Sequence, residues 1–135
     1  MSLKEKILIA DDSEMNQMLL EEILSDKYEY VMAKDGTEAV DILEKNEDID
    51  LVMLDINMPK MDGFGVLEIM NLRHWISEVP VIIISSESDV DFIRRGYDLG
   101  ASDYISRPVD LTVVRRRVEN TLMLYARQKR LVRLV

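Results

Sequence analysis

The chain has 135 residues, no cysteine and a formal net charge of −9, with 47% hydrophobic and 32% charged residues. This is the composition of one ordinary globular domain, and it excludes a disulfide framework and thiolate chemistry. The acidic residues lie almost entirely before Arg115, which argues against nucleic-acid binding by the body, because phosphate backbones need cationic partners.

The N-terminus and the apolar runs give no sign of export or membrane insertion. The first residues lack the apolar core and cleavage site of a signal peptide. The apolar runs are far shorter than the ~20 residues needed to span a bilayer. We therefore expect a cytoplasmic protein that does not enter the membrane.

Five short apolar runs predict five strands, at residues 7–10, 28–33, 51–54, 81–84 and 103–105. Most of these runs are apolar throughout rather than alternating, which is typical of strands buried on both faces of a parallel sheet.

Segments of helical period separate these strands. The first helix is expected to begin after Asp12 or Ser13, either of which could cap it. The second helix follows a predicted turn at Asp35 and Gly36, and the third follows a loop over residues 57–63.

The fourth helix is predicted to end at Gly100, and the last runs on from Leu111. An apolar stripe on the last helix is expected to pack on the sheet, and it consists of Leu111, Val114, Val118, Leu122 and Tyr125. The chain also has nine methionines, for which core filling is the default expectation.

Strand and helix thus alternate five times, without repeats or internal linkers. Parallel strands need helical crossovers, and these cover both faces of the sheet. The sequence therefore predicts a single α/β domain with a doubly wound, five-stranded parallel sheet. In such a sheet, ligands bind beyond the carboxyl ends of the strands, where the strand order reverses.

Polar residues follow four of the predicted strands at this edge: Asp11 and Asp12 after the first, Asp55 after the third, Ser85 after the fourth and Arg107 after the fifth. Each alone has an ordinary interpretation as a turn, cap or surface residue. Together they place three carboxylates at one edge, and like charges ~4 Å apart repel by about 4 kcal/mol at an effective dielectric near 20.

Protonation or a metal ion normally relieves such repulsion. Oxygen ligands without histidine or cysteine suit Mg²⁺ or Ca²⁺, and the absence of EF-hand spacing favours Mg²⁺. A carboxylate beside Mg²⁺ can act as a nucleophile and form an acyl phosphate. With a hydroxyl donor and a cation at the same edge, phosphoryl transfer is the predicted reaction class.

From residue 6 to residue 124 the chain resembles the receiver domains of two-component response regulators. The motifs that carry this resemblance are Asp11-Asp12, Asp55-Ile56-Asn57-Met58-Pro59, Met61-Asp62-Gly63, Ser85-Ser86, Tyr104 and Arg107-Pro108. The resemblance implies a flavodoxin-like (βα)₅ fold with a long C-terminal helix. It also implies a response regulator receiver domain that takes a phosphoryl group from a histidine kinase or phosphotransfer protein.

The resemblance further implies the role of each motif residue. Asp55 would be the phosphoacceptor, and Asp12, Asp55 and the backbone carbonyl of Asn57 would bind Mg²⁺, with Asp11 supporting it directly or through water. A second set would respond to the phosphoryl group, and it consists of Ser85, Arg107 and Tyr104.

Ser85 would hydrogen-bond one phosphoryl oxygen and Arg107 would pair with another. Tyr104 would be the aromatic switch whose inward turn reshapes the face made by the fourth helix, fifth strand and fifth helix. The peptide bond before Pro108 would be cis.

Arg107 departs from the family pattern, which usually has lysine. Arginine keeps the charge but presents a longer planar fork that binds phosphate in a bidentate manner. We expect phosphorylation to persist with an altered lifetime or altered switching. The alternative is a degenerate, phosphorylation-independent receiver that acts as a protein-interaction or dimerisation module.

A second alternative is a phosphatase that uses an aspartyl intermediate. Such enzymes typically need an acidic residue two positions after the nucleophile, and here that residue is Asn57. We therefore do not expect an enzyme.

The C-terminal segment predicts a connection to another domain. Residues 1–125 are assigned to the receiver and residues 126–135 to the start of a helical linker, because apolar residues continue past Tyr125 without a core to receive them. The alternative is a solvated basic helix with frayed ends. The tail is similar to those of receivers attached to cyclic-dinucleotide enzymes, such as HD-type phosphodiesterases or diguanylate cyclases, and this resemblance implies an output domain of that class. A homodimer through the fourth and fifth helices or the tail is also expected.

Overall fold

The computed structural model describes residues 4–24, 26–45 and 48–134, with side chains up to Ala126. Its five strands form one parallel sheet in the order β2-β1-β3-β4-β5. The strands are β1 (Lys6–Ala10), β2 (Glu29–Ala33), β3 (Leu51–Leu54), β4 (Val81–Ser85) and β5 (Asp103–Ser106). The predicted doubly wound sheet is confirmed, and its order reverses between β1 and β3.

Five helices connect and follow the strands: α1 (Glu14–Leu24), α2 (Gly36–Lys45), α3 (Gly63–Leu72), α4 (Val90–Asp98) and α5 (Leu111–Leu134). A 3₁₀ turn at Trp75–Ser77, which was not predicted, lies between α3 and β4. The predicted turn at Asp35 and Gly36 needs correction, because Gly36 already belongs to α2. Asp35 precedes this helix and accepts a hydrogen bond from the Glu38 N–H at 2.8 Å.

The two faces of the sheet carry separate cores. Successive residues of a strand point to opposite faces, so Ile7 and Ile9 pack with α1 and α5 while Leu8 and Ala10 pack with α2 and α3. The middle strand β3 is buried along its whole length. The strand ends between these two layers are therefore held on a rigid support.

Two expectations need correction for particular side chains: that methionines fill the core, and that the apolar stripe of α5 begins at Leu111. Met15 and Met18 on α1 are 79% and 68% exposed, whereas the neighbouring Leu20 is buried. On α5, Leu111 is 47% exposed, so the apolar stripe does not begin there. The buried members of the stripe are Val114, Val118 and Leu122.

The last helix continues past Tyr125, as predicted, and ends at Leu134. The side chains of residues 127–134 and the whole of Val135 lie outside the described residues, so the interpretation of this segment as a linker stays a prediction. Among the described helices, none has the length and apolar character that would let it cross a membrane.

Candidate functional site

Three carboxylates converge at the carboxyl edge of the sheet, between β1 and β3. Asp11 directly follows β1, and its N–H donates to the Ala33 carbonyl at 3.0 Å. Asp55 directly follows β3, and its N–H donates to the Ala10 carbonyl at 2.9 Å. One carboxylate oxygen from each of Asp11, Asp12 and Asp55 lies within 4.8 Å of the others. The sequence-based prediction that these residues meet is therefore correct.

The members of this acidic cluster differ in their access to solvent. Asp11 and Asp55 are only 1% and 7% exposed, whereas Asp12 faces solvent. Burial raises the pKa of Asp55 to about 6; the nearby Asp11 carboxylate adds to the rise, and Arg107 opposes it. Because the ionised form of Asp55 is disfavoured here, a cation bound at the cluster would stabilise it.

Both oxygens of the Asp11 carboxylate have hydrogen-bond donors. Oδ1 accepts from the Ser13 N–H at 2.9 Å, and Oδ2 accepts from Nη2 of Arg107. The Ser13 hydroxyl also accepts from the Asn16 N–H at 3.3 Å, so Ser13, rather than Asp12, caps α1. The start of α1 thus orients Asp11.

Arg107 reaches the acidic cluster from the end of β5. Its N–H donates to the Ser85 carbonyl at 2.9 Å, and the peptide bond to Pro108 is cis, as predicted. While Nη2 contacts Asp11, Nη1 lies 3.4 Å from Oδ1 of Asp55, and the side chain is 17% exposed. Sequence reasoning placed a cation here but missed this pairing with two carboxylates.

Ser85 and Tyr104 lie on the adjacent strands β4 and β5. Ser85 is fully buried, and its hydroxyl accepts from the Glu87 N–H at 3.1 Å. The Tyr104 ring is buried with 7% exposure, and its hydroxyl donates to the Glu87 carbonyl at 2.9 Å. Burial raises the pKa of Tyr104, and hydrogen bonding to Ser85 opposes the rise. The two residues therefore share the segment after β4 as a common partner.

The loop after Asp55 is anchored from two sides. The Asn57 N–H donates to the Asp55 carboxylate, which favours its charged form, and the Asn57 side chain faces solvent. At the far side of the loop the Met61 carbonyl accepts from the Gly36 N–H at 3.0 Å. A Cβ on Gly36 would lie 2.3 Å from that carbonyl oxygen, so only glycine fits this contact. In the sequence, only the predicted turn at Asp35 and Gly36 signalled this contact. Its role in supporting the loop after Asp55 was not predicted.

An open groove of about 420 Å³ lies beside the acidic cluster. Its lining residues are Asn16, Leu19, Ser86, Arg107, Pro108 and Val109. Arg107 therefore borders both the groove and the buried carboxylates.

The model of the response regulator receiver domain matches residues 7–119, which is most of the chain. The chain belongs to the response regulator receiver domain family. The match confirms the resemblance to receiver domains that the strand-end motifs indicated. It also confirms the assignment to two-component signalling.

Several curated proteins are similar to this receiver. It is 40% identical over 120 residues to a probable transcriptional regulator ycf27 of Porphyridium aerugineum, covering 88% of this chain and 48% of that protein. It is 36% identical over 123 residues to sporulation initiation phosphotransferase F of Bacillus subtilis, covering 90% and 97%. A probable cyclic di-GMP phosphodiesterase of Vibrio cholerae is 35% identical over 116 residues, covering 86% and 26%.

Solved structures agree with the fold. A CheY-like receiver domain protein of Methanospirillum hungatei is 27% identical, with a TM-score of 0.84 over 94% of this chain and 99% of that one. A CheX-CheY-BeF3-Mg complex of Borrelia burgdorferi contains a chain that is 34% identical, with a TM-score of 0.77 over 86% and 87%. The receiver spans about half the length of the first curated relatives that it matches.

Proposed function

We propose that this receiver accepts a phosphoryl group on Asp55 in a reaction that requires Mg²⁺. The donor is the phosphohistidine of a histidine kinase or phosphotransfer protein. The observation that carries the proposal is the position of the Asp55 carboxylate, which lies within 4.8 Å of Asp11 and Asp12 at the switch point of the sheet. Family membership supports the same reaction class.

The donor atoms of the cluster fit Mg²⁺. Carboxylate oxygens are its preferred protein ligands, and histidine and cysteine are absent from the cluster. Asp12, Asp55 and the backbone carbonyl of Asn57 would hold the ion, with Asp11 supporting it. When bound, Mg²⁺ neutralises the clustered negative charge and the charge of the incoming phosphoryl group.

Arg107 and Ser85 complete the proposed phosphoryl site. The guanidinium of Arg107 lies 3.4 Å from Oδ1 of Asp55, close enough for its fork to reach an oxygen of a group attached there. The Ser85 hydroxyl oxygen now accepts from the Glu87 N–H, and its O–H is proposed to turn and donate to a phosphoryl oxygen. Because Tyr104 holds the same segment through the Glu87 carbonyl, movement of Ser85 would change the anchoring of Tyr104.

The signal is proposed to leave through the face made by α4, β5 and α5. Residues 1–125 form the receiver, and residues 126–135 begin a linker to an output domain. The name of the Vibrio cholerae relative, a probable cyclic di-GMP phosphodiesterase, supports a cyclic-dinucleotide enzyme as one class of output. In this proposal the receiver itself is a cytoplasmic phosphoacceptor rather than an enzyme.

A homodimer through α4 and α5 or the tail is part of this proposal. Exposed apolar side chains on these helices support it: Val90, Phe92, Tyr97, Met123 and Leu124. Size-exclusion chromatography with light scattering, before and after phosphorylation, tests it. A monomer in both states would contradict the dimer.

Intact-mass measurement after incubation with acetyl phosphate tests the acceptor. We expect one phosphoryl adduct in the wild type with Mg²⁺, and none with EDTA or in Asp55→Asn. Asp62→Asn is the matched control, because Asp62 lies in the same loop but caps α3 through the Gly65 N–H at 2.8 Å. It should keep the adduct. A folded wild type that binds Mg²⁺ without an adduct would favour the phosphorylation-independent alternative.

A further inference from the structure

The acidic cluster already contains a cation that belongs to the chain. The two terminal nitrogens of Arg107 contact different carboxylates, Nη2 reaching Asp11 and Nη1 lying 3.4 Å from Asp55. Both carboxylates are almost fully buried, so water compensates their charge poorly. Arg107 is therefore their main positive partner among the described contacts.

We propose that Mg²⁺ and the guanidinium of Arg107 compete for the carboxylates of Asp11 and Asp55, so that residue 107 sets the affinity of this receiver for Mg²⁺. This inference rests on the proposed function, since it assumes that the cluster is the metal site. It assigns Arg107 a role before phosphorylation, in addition to pairing with the phosphoryl group.

The hydrogen bonds of Asp11 leave little room for both cations. Its Oδ1 accepts from the Ser13 N–H at 2.9 Å, and Oδ2 is the oxygen that Arg107 contacts. A metal ion supported by Oδ2 would therefore weaken or displace the Arg107 contact, because the ion and the guanidinium would share one oxygen and their positive charges repel each other. The groove beside the cluster, which Arg107 already lines, gives the released side chain a place to go.

The fork of arginine is what makes this competition strong. A planar guanidinium with two terminal nitrogens can bridge Asp11 and Asp55 at once, whereas lysine carries one compact ammonium on a shorter reach. Charge-assisted hydrogen bonds are stronger than neutral ones. A lysine at position 107 should therefore leave Asp11 more available to the metal, and an uncharged side chain should leave both carboxylates available.

Isothermal titration with MgCl₂ at fixed pH and fixed NaCl, without any phosphodonor, tests the proposal. We expect Arg107→Gln to bind Mg²⁺ about 10-fold more tightly than the wild type, and Arg107→Lys to lie between them. Arg117→Gln is the matched control. This variant removes the same charge, but Arg117 pairs with Asp103 at 3.0 Å, at the end of β5 that lies away from Arg107. The affinity for Mg²⁺ should therefore stay within about 2-fold of the wild type.

The melting temperature gives a second readout, which remains informative if the substitution lowers the stability of the protein. If Arg107→Gln is less stable without metal but folded, the rise of its melting temperature with Mg²⁺ should exceed that of the wild type. Equal or weaker Mg²⁺ binding in both Arg107 variants would overturn the proposal, since Arg107 would then be neutral toward the metal or help to hold it. The same tightening in Arg117→Gln would overturn it too, because net charge alone would explain the effect.

The outcome is separable from that of the acceptor experiment. An adduct on Asp55 without any effect of residue 107 on Mg²⁺ affinity would leave the proposed function standing and remove the competition. Tighter Mg²⁺ binding in the Arg107 variants, together with no adduct on the wild type, would support the competition and contradict the proposed function.

Discussion

Replacing Asp55 by asparagine should stabilise the metal-free receiver at neutral pH, although it abolishes the proposed acceptor. Burial raises the pKa of Asp55 from its ordinary value of 3.8 to about 6. The folded protein therefore binds this proton more tightly than the unfolded chain, and the free energy of unfolding falls as pH rises from about 4 to about 6. Above that range the folded state carries the full cost of the buried charge. Asparagine removes this cost while keeping the size of the side chain.

The size of the gain follows from the pKa. A rise from 3.8 to about 6 corresponds to about 3 kcal/mol at full effect. Because the Asp12 member of the cluster faces solvent, which screens part of the buried charge, we expect about 1 to 2 kcal/mol. This should appear as a urea midpoint higher by about 1 M for Asp55→Asn in EDTA at about pH 7.5.

The pH dependence separates this reasoning from an ordinary packing effect. At about pH 4 the wild-type carboxyl is protonated in the folded state, so the advantage of Asp55→Asn should disappear. Asp98→Asn, at the exposed end of α4, removes the same charge and should change stability by no more than about 0.5 kcal/mol at either pH. A destabilised Asp55→Asn at neutral pH, or an equal gain at both pH values, would refute the argument.

Three further predictions concern the supports of the site. Gly36→Ala forces a Cβ to 2.3 Å from the Met61 carbonyl and should lower the free energy of unfolding by about 2 kcal/mol; a neutral result in urea would show that the loop yields freely. Ser85→Ala removes the acceptor of the Glu87 N–H, so we expect a loss of about 1 kcal/mol together with slower adduct formation, and an unchanged rate by mass spectrometry would exclude Ser85 from the phosphoryl site. Tyr104→Phe keeps the buried ring and loses the hydrogen bonds of its hydroxyl to the Glu87 carbonyl and to Ser85, which should cost about 1 kcal/mol against about 3 for Tyr104→Ala; equal melting temperatures of the two variants would contradict this.

The layout of the fold was predictable because the strands are unusually uniform. Apolar runs such as residues 81–84, separated by segments of helical period, favour a parallel sheet covered on both faces, and the polar residues that follow the strands are then brought to one edge. That is why Asp11 and Asp55 could be expected to meet although they are far apart in sequence. The fold and the composition of the site follow from this single rule.

The orientation of helices was harder to predict. Met15 and Met18 have helical spacing with the core residues of α1, yet they lie on the exposed side. Flexible apolar side chains tolerate both environments, so the spacing alone could not decide which edge of the apolar face turns to the sheet. Leu111 is exposed because it is the first residue of α5 and lies one turn before Val114, the first buried residue of that helix.

The partners of Arg107 could not be predicted either. The sequence indicates a cation at the end of β5 and a phosphoryl group as its eventual partner. Which carboxylates it contacts before phosphorylation depends on the length of the side chain and on the path of the chain into Pro108. Only three-dimensional geometry shows that one guanidinium bridges two buried aspartates.

The position of the phosphoryl group is the most direct test of the proposed function. Borohydride reduces an aspartyl phosphate to the alcohol, so treatment of the acetyl phosphate product followed by peptide mass spectrometry locates the acceptor. We predict homoserine at position 55 alone, in the sample with Mg²⁺ and not in the sample with EDTA. Reduction at Asp11, Asp12 or any other carboxylate, with Asp55 intact, would contradict the assignment of Asp55 as the phosphoacceptor.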